Sequence, residues 1–354
     1  MTSEDELSAL KGDEWGGPPW TEDGAVLVEA LVREDPRPLD KRTIRNRSLQ
    51  KLIDQTPDGG TVTIPPGTYE HGFVVDDRKN LTVTAEPGTV WIVEDDLDAT
   101  VVDITNSHHV TIEGLGLLHD PVGSCLGDAL GIRRSHDITI INNDLSGSGV
   151  AGVRASDSAN LSIHDNHIHN STAHPVFLRD VANVEVVGNL VRNNHESRDW
   201  RRFQGVNLHS VYGDIVVAQN VFVDNPSGPI TVWQHDKANA NDVLPTHTIT
   251  IAQNAFAQNQ HPKRPTIDFE MRGEGRTAAP SDSRLTIIDN CFDTDQGRTD
   301  VDAHVGWASQ LDGNIVDEVV VDEDYAVSAP ASCVTRVDAP SKWVELYDAA
   351  ERGE

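Results

Sequence analysis

Residues 136–145 read HDITIINNDL and residues 159–168 read ANLSIHDNHI, and the phrase returns as ANVEVVGNLV at 182–191, GDIVVAQNVF at 213–222, HTITIAQNAF at 247–256 and SRLTIIDNCF at 283–292. Each copy alternates apolar and polar residues, then places an Asn before another apolar residue. The asparagines are Asn143, Asn166, Asn189, Asn220, Asn254 and Asn290, at intervals of 23, 23, 31, 34 and 36 residues. Weaker copies stand at 80–89 (NLTVTAEPGT), 109–118 (HVTIEGLGLL) and 318–327 (EVVVDEDYAV). A period-two strand signal recurring every 20 to 40 residues or so predicts a solenoid. Intervals that lengthen around a constant phrase put the insertions in loops on one side.

A parallel coil accounts for the Asn. Turns stacked about 4.8 Å apart place equivalent side chains above one another, where amides can bond along the stack. These asparagines therefore read as structural. Between the phrases runs a second strand set: GVAGVRASD, HPVFLRDV, QGVNLHSV, GPITVWQHD, PTIDFEMRG and DAHVGWASQ. Before the coil, SLQKLIDQTPDGGTVTIPPGTY spaces Leu49, Leu52 and Ile53 as on a short helix that could plug the open end. In SKWVELYDAAERGE, Trp343, Leu346 and Tyr347 share one helical face, which reads as a second cap.

With two or three short strands per turn and an Asn turn between them, residues 48–329 resemble the right-handed parallel β-helix of the pectate lyase superfamily. The expectation is an all-β fold, a single-stranded right-handed parallel β-helix over 47–335 with short helical caps. Residues 336–354 form the C-terminal capping helix in this reading. Residues 1–46, acidic and rich in Pro and Gly, form an arm that orders only on a partner or along the coil.

Alternation sorts the second strand set. If Val176, Val206, Leu208, Ile230, Val232, Ile267 and Phe269 point inward, then Phe177, Arg179, Asn207, His209, Thr231, Trp233, His235, Asp268, Glu270 and Arg272 point outward, with Arg154 one turn earlier. An insertion carrying Arg198, Trp200, Arg201 and Arg202 precedes the strand of Asn207 and His209. Arginine forks suit carboxylate or sulfate groups and Trp suits a sugar ring, so a glycan-binding set is Arg154, Arg179, Arg198, Trp200, Arg201, Arg202, Asn207, Trp233 and Arg272. Superfamily members include polysaccharide lyases, polygalacturonase-like hydrolases, uronate epimerases and viral tailspikes, whose sites commonly lie on the outward face of one sheet. That resemblance makes His209 and His235 candidate bases, and Asp268 and Glu270 a candidate carboxyl pair. The enzyme signatures NTD, GHG, RIK and DPH are absent.

The stretch SIHDNHIHNSTAHP contains His164, His167, His169 and His174. Although His167 and His169 share a strand face and could hold a transition metal, the stretch straddles an Asn turn, and scattered, solvated histidines with no metal are the expectation. No cofactor follows from the sequence, though so acidic a surface admits calcium. Cys125, Cys291 and Cys333 define no disulfide or zinc pattern.

Acidic residues number 57 against 28 basic ones, a net charge of -29, and Arg outnumbers Lys. The composition resembles that of extreme halophiles and repels phosphate backbones, so nucleic acid is an unsuited partner. No apolar run of about 18 residues predicts a membrane span, and MTSEDELSALKGDEW lacks the features of a secretory signal. Two functions follow. One is a glycan-binding structural or receptor-binding component, tailspike- or fibre-like, of a surface or viral assembly. The arm would attach it to virion or surface-assembly proteins, and the tailspike analogy implies a homotrimer. The other is a lyase, epimerase or hydrolase acting on acidic polysaccharide. The first places the protein outside the cell or on a virion, with the cytoplasm of a halophile as the alternative.

Overall fold

The computed structural model describes residues 49–123, 125–194, 205–223, 225, 230–235, 247–257, 267–272, 284–288, 290–292 and 301–304. The N-terminal arm and the C-terminal capping helix lie outside them. The chain opens with α1 (Leu49–Gln55), β1 (Thr61–Thr63) and β2 (Gly67–Glu70), and Leu49 and Ile53 of α1 are buried in the core. Three turns of three strands follow: β3 (Phe73–Asp76), β4 (Lys79–Thr84) and β5 (Val90–Glu94); β6 (Val102–Thr105), β7 (His108–Glu113) and β8 (Gly116–His119); β9 (Leu130–Arg133), β10 (His136–Ile141) and β11 (Asp144–Ser146). In the next two turns a long bent strand replaces the first two: β12 (Ala151–His164) with β13 (His167–His169), then β14 (His174–Val187) with β15 (Leu190–Arg192). The coil continues through β16 (Val206–His209), β17 (Tyr212–Ala218) and β18 (Val221–Val223); β19 (Ile230–His235), β20 (His247–Ala252) and β21 (Ala255–Ala257); β22 (Ile267–Arg272), β23 (Arg284–Ile288) and β24 (Cys291–Phe292); and β25 (Val301–His304).

Every described strand pairing is parallel, between one turn and the next, as a right-handed parallel β-helix requires. The coil presents three outer faces. Face one is built on β3, β6, β9, the first halves of β12 and β14, β16, β19, β22 and β25. Face two is built on β1, β4, β7, β10, the second halves of β12 and β14, β17, β20 and β23, and face three on a nine-stranded sheet from β2 to β24. Inside, one apolar stack fills the coil: Ile112, Ile140, Ile163, Val186, Val217 and Ile251 along face two, and Ile132, Ala155, Leu178, Leu208 and Val232 along face one. The inward assignments of Val176, Val206, Leu208, Ile230 and Val232 hold, all at 0% exposure.

Corners are the costly part of such a coil, because a buried bend leaves backbone N–H groups without a strand partner. Here each is served from the next turn. Asn143 Nδ2 donates to Asn166 Oδ1 at 3.1 Å, and the chain continues through Asn189, Asn220, Asn254 and Asn290 at 3.0, 3.0, 3.0 and 2.9 Å. Each acceptor oxygen also takes the preceding Asn's backbone N–H, as Asn189 Oδ1 takes that of Asn166 at 2.9 Å. The ladder begins where HVTIEGLGLL has Leu in place of Asn, for Leu115 N donates to Asn143 Oδ1 at 3.0 Å. Just before these rungs, Asn142, Asp165, Gly188, Gln219 and Gln253 take positive φ between 54° and 68°, the single left-handed residue that turns the corner.

Two further ladders serve the other corners. Ser107 N donates to Ser135 Oγ and Ser135 N to Ser158 Oγ, both at 3.1 Å. Asn194 Nδ2 donates to Asn225 Oδ1 at 2.9 Å, and Ser171 N donates to Asn194 Oδ1 at 2.9 Å.

Asn189→Ala removes the acceptor shared by the backbone and side chain of Asn166 in a site of 0% exposure. Urea unfolding should show a loss of about 1 to 3 kcal/mol, while Glu185→Ala at an exposed position should cost a few tenths. Equal effects would mean that the ladder is not the element that holds the corner.

Candidate functional site

Face one carries two rows of outward residues, set by the strand register. The first runs Asp103, Gly131, Arg154, Phe177, Asn207 and Thr231; the second runs Thr105, Arg133, Ser156, Arg179, His209 and Trp233, and the backbone register continues them to Asp268 and Glu270. Rings link the rows across three turns. The His174 and Phe177 centroids lie 4.8 Å apart, Phe177 and His209 5.0 Å, and His209 and Trp233 4.9 Å. At the lower end the Arg154 guanidinium lies 5.7 Å from the Phe177 centroid. Arg154 and Arg179 are exposed, and Phe177, His209 and Trp233 partly so.

Below the rings, the row loses its side chain at Gly131. A Cβ built there would stand 3.1 Å from Asp103 Oδ1, so glycine leaves a gap between Asp103 and Arg154. Arg133 pairs with Asp103. Beside the gap, Asp128 is 7% exposed, its Oδ2 lies 3.9 Å from Arg154 Nη1, and its buried Oδ1 has no hydrogen-bond partner. Burial pushes the Asp128 carboxyl up to about 7 and outweighs the attraction of Arg154. Burial also raises Asp103, against Arg133. His119, buried behind them, meets the Asp128 carbonyl oxygen through Nε2 at 3.1 Å and is pushed down by burial. The result is a carboxyl that titrates near neutrality beside a fixed guanidinium, the pairing from which acid–base chemistry is built.

Of the residues singled out from the sequence, Arg154, Arg179, His209 and Trp233 come together on this face. Asn207 and Thr231 do not meet solvent there: they are 0% and 1% exposed. Asn207 sits between Phe177 and Thr231 in its row and donates through Nδ2 to His174 Nδ1 at 3.3 Å. By register His235 stands beside Arg272, Thr231 beside Asp268 and Trp233 beside Glu270. Arg198, Trp200, Arg201 and Arg202 lie outside the described residues.

The expectation of scattered, solvated histidines fails at three of the four. His167 and His169 are 0% and 1% exposed because β13 is buried on both faces, and His174, the first residue of β14, is 7% exposed. The rings of His167 and His169 stack at 4.0 Å over Asp144, with His167 Nδ1 2.8 Å from Oδ2 and His169 Nε2 3.0 Å from Oδ1. These donor atoms could hold a metal ion by proximity. The surrounding hydrogen bonds argue against it. Arg192 Nε donates to His167 Nε2 at 2.9 Å, which makes that nitrogen an acceptor and places the His167 proton on Nδ1, facing Asp144. A metal at Nδ1 would force a proton onto Nε2, against the guanidinium. Burial pushes His167 down to about 3, with His169 and Arg192 adding to it. Burial alone would raise Asp144, but the two imidazoles hold it below the usual carboxylate range. His167 is therefore a neutral bridge between Asp144 and Arg192. His71, Glu94 and Asp95 also lie close together, but Glu94 accepts the backbone N–H of Gly72 and of Asp96 at 3.0 Å each, which makes it the organiser of a turn.

Asp128 gives face one a pH signature. Its folded pKa lies above the unfolded value, so between about pH 4 and 7 the folded chain keeps a proton that the unfolded chain releases, and the Asp128 contribution to stability falls as pH rises through that window. Asp128→Asn should flatten the decline by up to about 4 kcal/mol, at 1.36 kcal/mol per pKa unit. Urea unfolding at pH 4.5 and 8 measures it, and an unchanged difference would place the charge elsewhere.

Three solved structures are similar to this chain. The surface adhesin PfbA of Streptococcus pneumoniae is 14% identical with a TM-score of 0.44, over 68% of this chain and 70% of that one. A pectin methylesterase in complex with a hexasaccharide is 12% identical with a TM-score of 0.43, over 77% and 97%. An alginate lyase from Paenibacillus sp. is 12% identical with a TM-score of 0.43, over 69% and 92%. These are likenesses of fold. No curated protein matches the sequence. The family model for the right handed beta helix region matches residues 96–292, more than half of the sequence, and the chain belongs to that family.

Proposed function

We propose that face one binds an acidic polysaccharide or surface glycan lying along the coil axis, and that the protein serves as a glycan-binding structural or receptor-binding component of a surface or viral assembly in concentrated salt. The observation that carries this reading is the run of rings from His174 to Trp233 at spacings of 4.8 to 5.0 Å, flanked by Arg154 and Arg179. Rings offer apolar faces to sugar, while guanidinium forks suit carboxylate or sulfate. In a chain of net charge -29, arginines gathered on one face are the local exception that lets an anionic ligand approach. Assembly into a homotrimer and attachment through residues 1–46 belong to the same proposal.

One observation favours catalysis on this face. Asp128, held near neutral pKa beside Arg154, could exchange a proton with a bound uronate whose carboxylate the arginine holds. In that reading the protein is a lyase, epimerase or hydrolase of acidic polysaccharide.

Titration with oligouronates of increasing length, in multimolar salt, separates the readings. Trp233→Ala and Arg154→Ala should each weaken binding about tenfold and leave the melting temperature within a degree or two. Unsaturated products at 235 nm or new reducing ends that vanish in Asp128→Asn would establish the enzyme. No binding at any length would remove both readings.

A further inference from the structure

Face two holds a second groove, of about 630 Å³, whose chemistry differs from that of face one. Its wall is a corner row, His109, Asp137, Asn160 and Asn183, all at positive φ between 53° and 56°. Those side chains form a surface ladder: Asn183 Nδ2 donates to Asn160 Oδ1 at 3.0 Å, and Asn160 Nδ2 to Asp137 Oδ1 at 2.9 Å. His136 Nδ1 lies 2.6 Å from Asp137 Oδ2 and fixes the end of the row. The floor carries Thr111, Thr139 and Ser162, which register places on three successive turns. Each is partly exposed, and among the described residues none of the three hydroxyls has a hydrogen-bond partner. Glu185 follows Ser162 on the next turn and Asp214 closes the wall. Among the described residues no Lys, Arg, Phe, Tyr or Trp lines the groove, His109 supplies its one ring, and its carboxylates are Asp137, Glu185 and Asp214.

We propose that this groove is a second glycan site, independent of face one, for an extended saccharide bearing amine groups. Three uncommitted hydroxyls at strand spacing, about 4.8 Å apart, match a ligand whose hydroxyl groups repeat along the coil axis. A peptide strand repeats its side chains on one face at about 6.6 Å and falls out of step with them. The carboxylates select ammonium groups and exclude the uronates that suit Arg154 and Arg179. A protein with both sites would join two glycans of opposite charge across adjacent faces of one coil.

The test is isothermal titration of the full chain with glucosamine oligomers, against N-acetylated and uncharged glucose oligomers as controls. Because a chain of net charge -29 attracts any polycation, the deciding variant keeps its charge: Thr139→Val with Ser162→Ala. That double variant should bind the amine oligomer about tenfold more weakly, and Glu185→Gln with Asp214→Asn should weaken it further. Trp233→Ala should leave it unchanged. Undiminished binding by the hydroxyl variant would reduce the effect to bulk charge and overturn the site, as would equal binding of the uncharged oligomer. Loss of binding in Trp233→Ala would return the ligand to face one, and the circular dichroism spectrum of each variant guards against misfolding.

Discussion

A parallel coil must turn a buried corner three times per rung, and each corner leaves backbone N–H groups that no strand can satisfy. The architecture follows from how those groups are paired. Asn143 to Asn290 serve one corner, Ser107 to Ser158 a second, and Asn194 with Asn225 a third. Each amide or hydroxyl bonds to the turn beside it, so consecutive turns are locked in register. That register stacks outward side chains in straight rows, and straight rows make the faces of the coil chemically distinct.

The faces divide the charge. Face one sets Arg133, Arg154 and Arg179 around rings and two carboxyls of raised pKa. Face two shows hydroxyls, amides and carboxylates, and no arginine lines its groove. On face three, Asp144, His167, His169 and Arg192 are buried together, and every imidazole nitrogen there has a partner within 3.0 Å. Buried polar groups persist at such a density only when each is paired. The network thus carries charge through a buried layer without solvent, as a corner ladder carries amides.

Much of the coil was legible in the sequence, because its repeat is local. Strand alternation and the Asn phrase recur within about ten residues, so the first ladder, the core stack and the outward placement of Arg154, Arg179, His209 and Trp233 could be read directly. The third-corner ladder left a fainter sign. Asn194 and Asn225 follow Asn189 and Asn220 by the same five residues. What could not be read depends on neighbours distant in sequence. Asp128 is one acid ahead of a strand, and only burial by distant neighbours raises it, against the pull of Arg154. His167 and His169 alternate as exposed residues would, yet β13 is covered on both sides. Asn207 has the spacing of a surface amide, but in its outward row it is covered and in contact with His174 from the preceding turn.

We propose that face one, through a row of rings and arginines set by the corner ladders, receives an acidic glycan. A crystal structure of the protein with an oligouronate tests it most directly. The saccharide chain should lie along the coil axis, with carboxylates at Arg154 and Arg179 and sugar faces against Phe177 and Trp233. An oligouronate seated on another face, or lying across the coil without touching those residues, would contradict it.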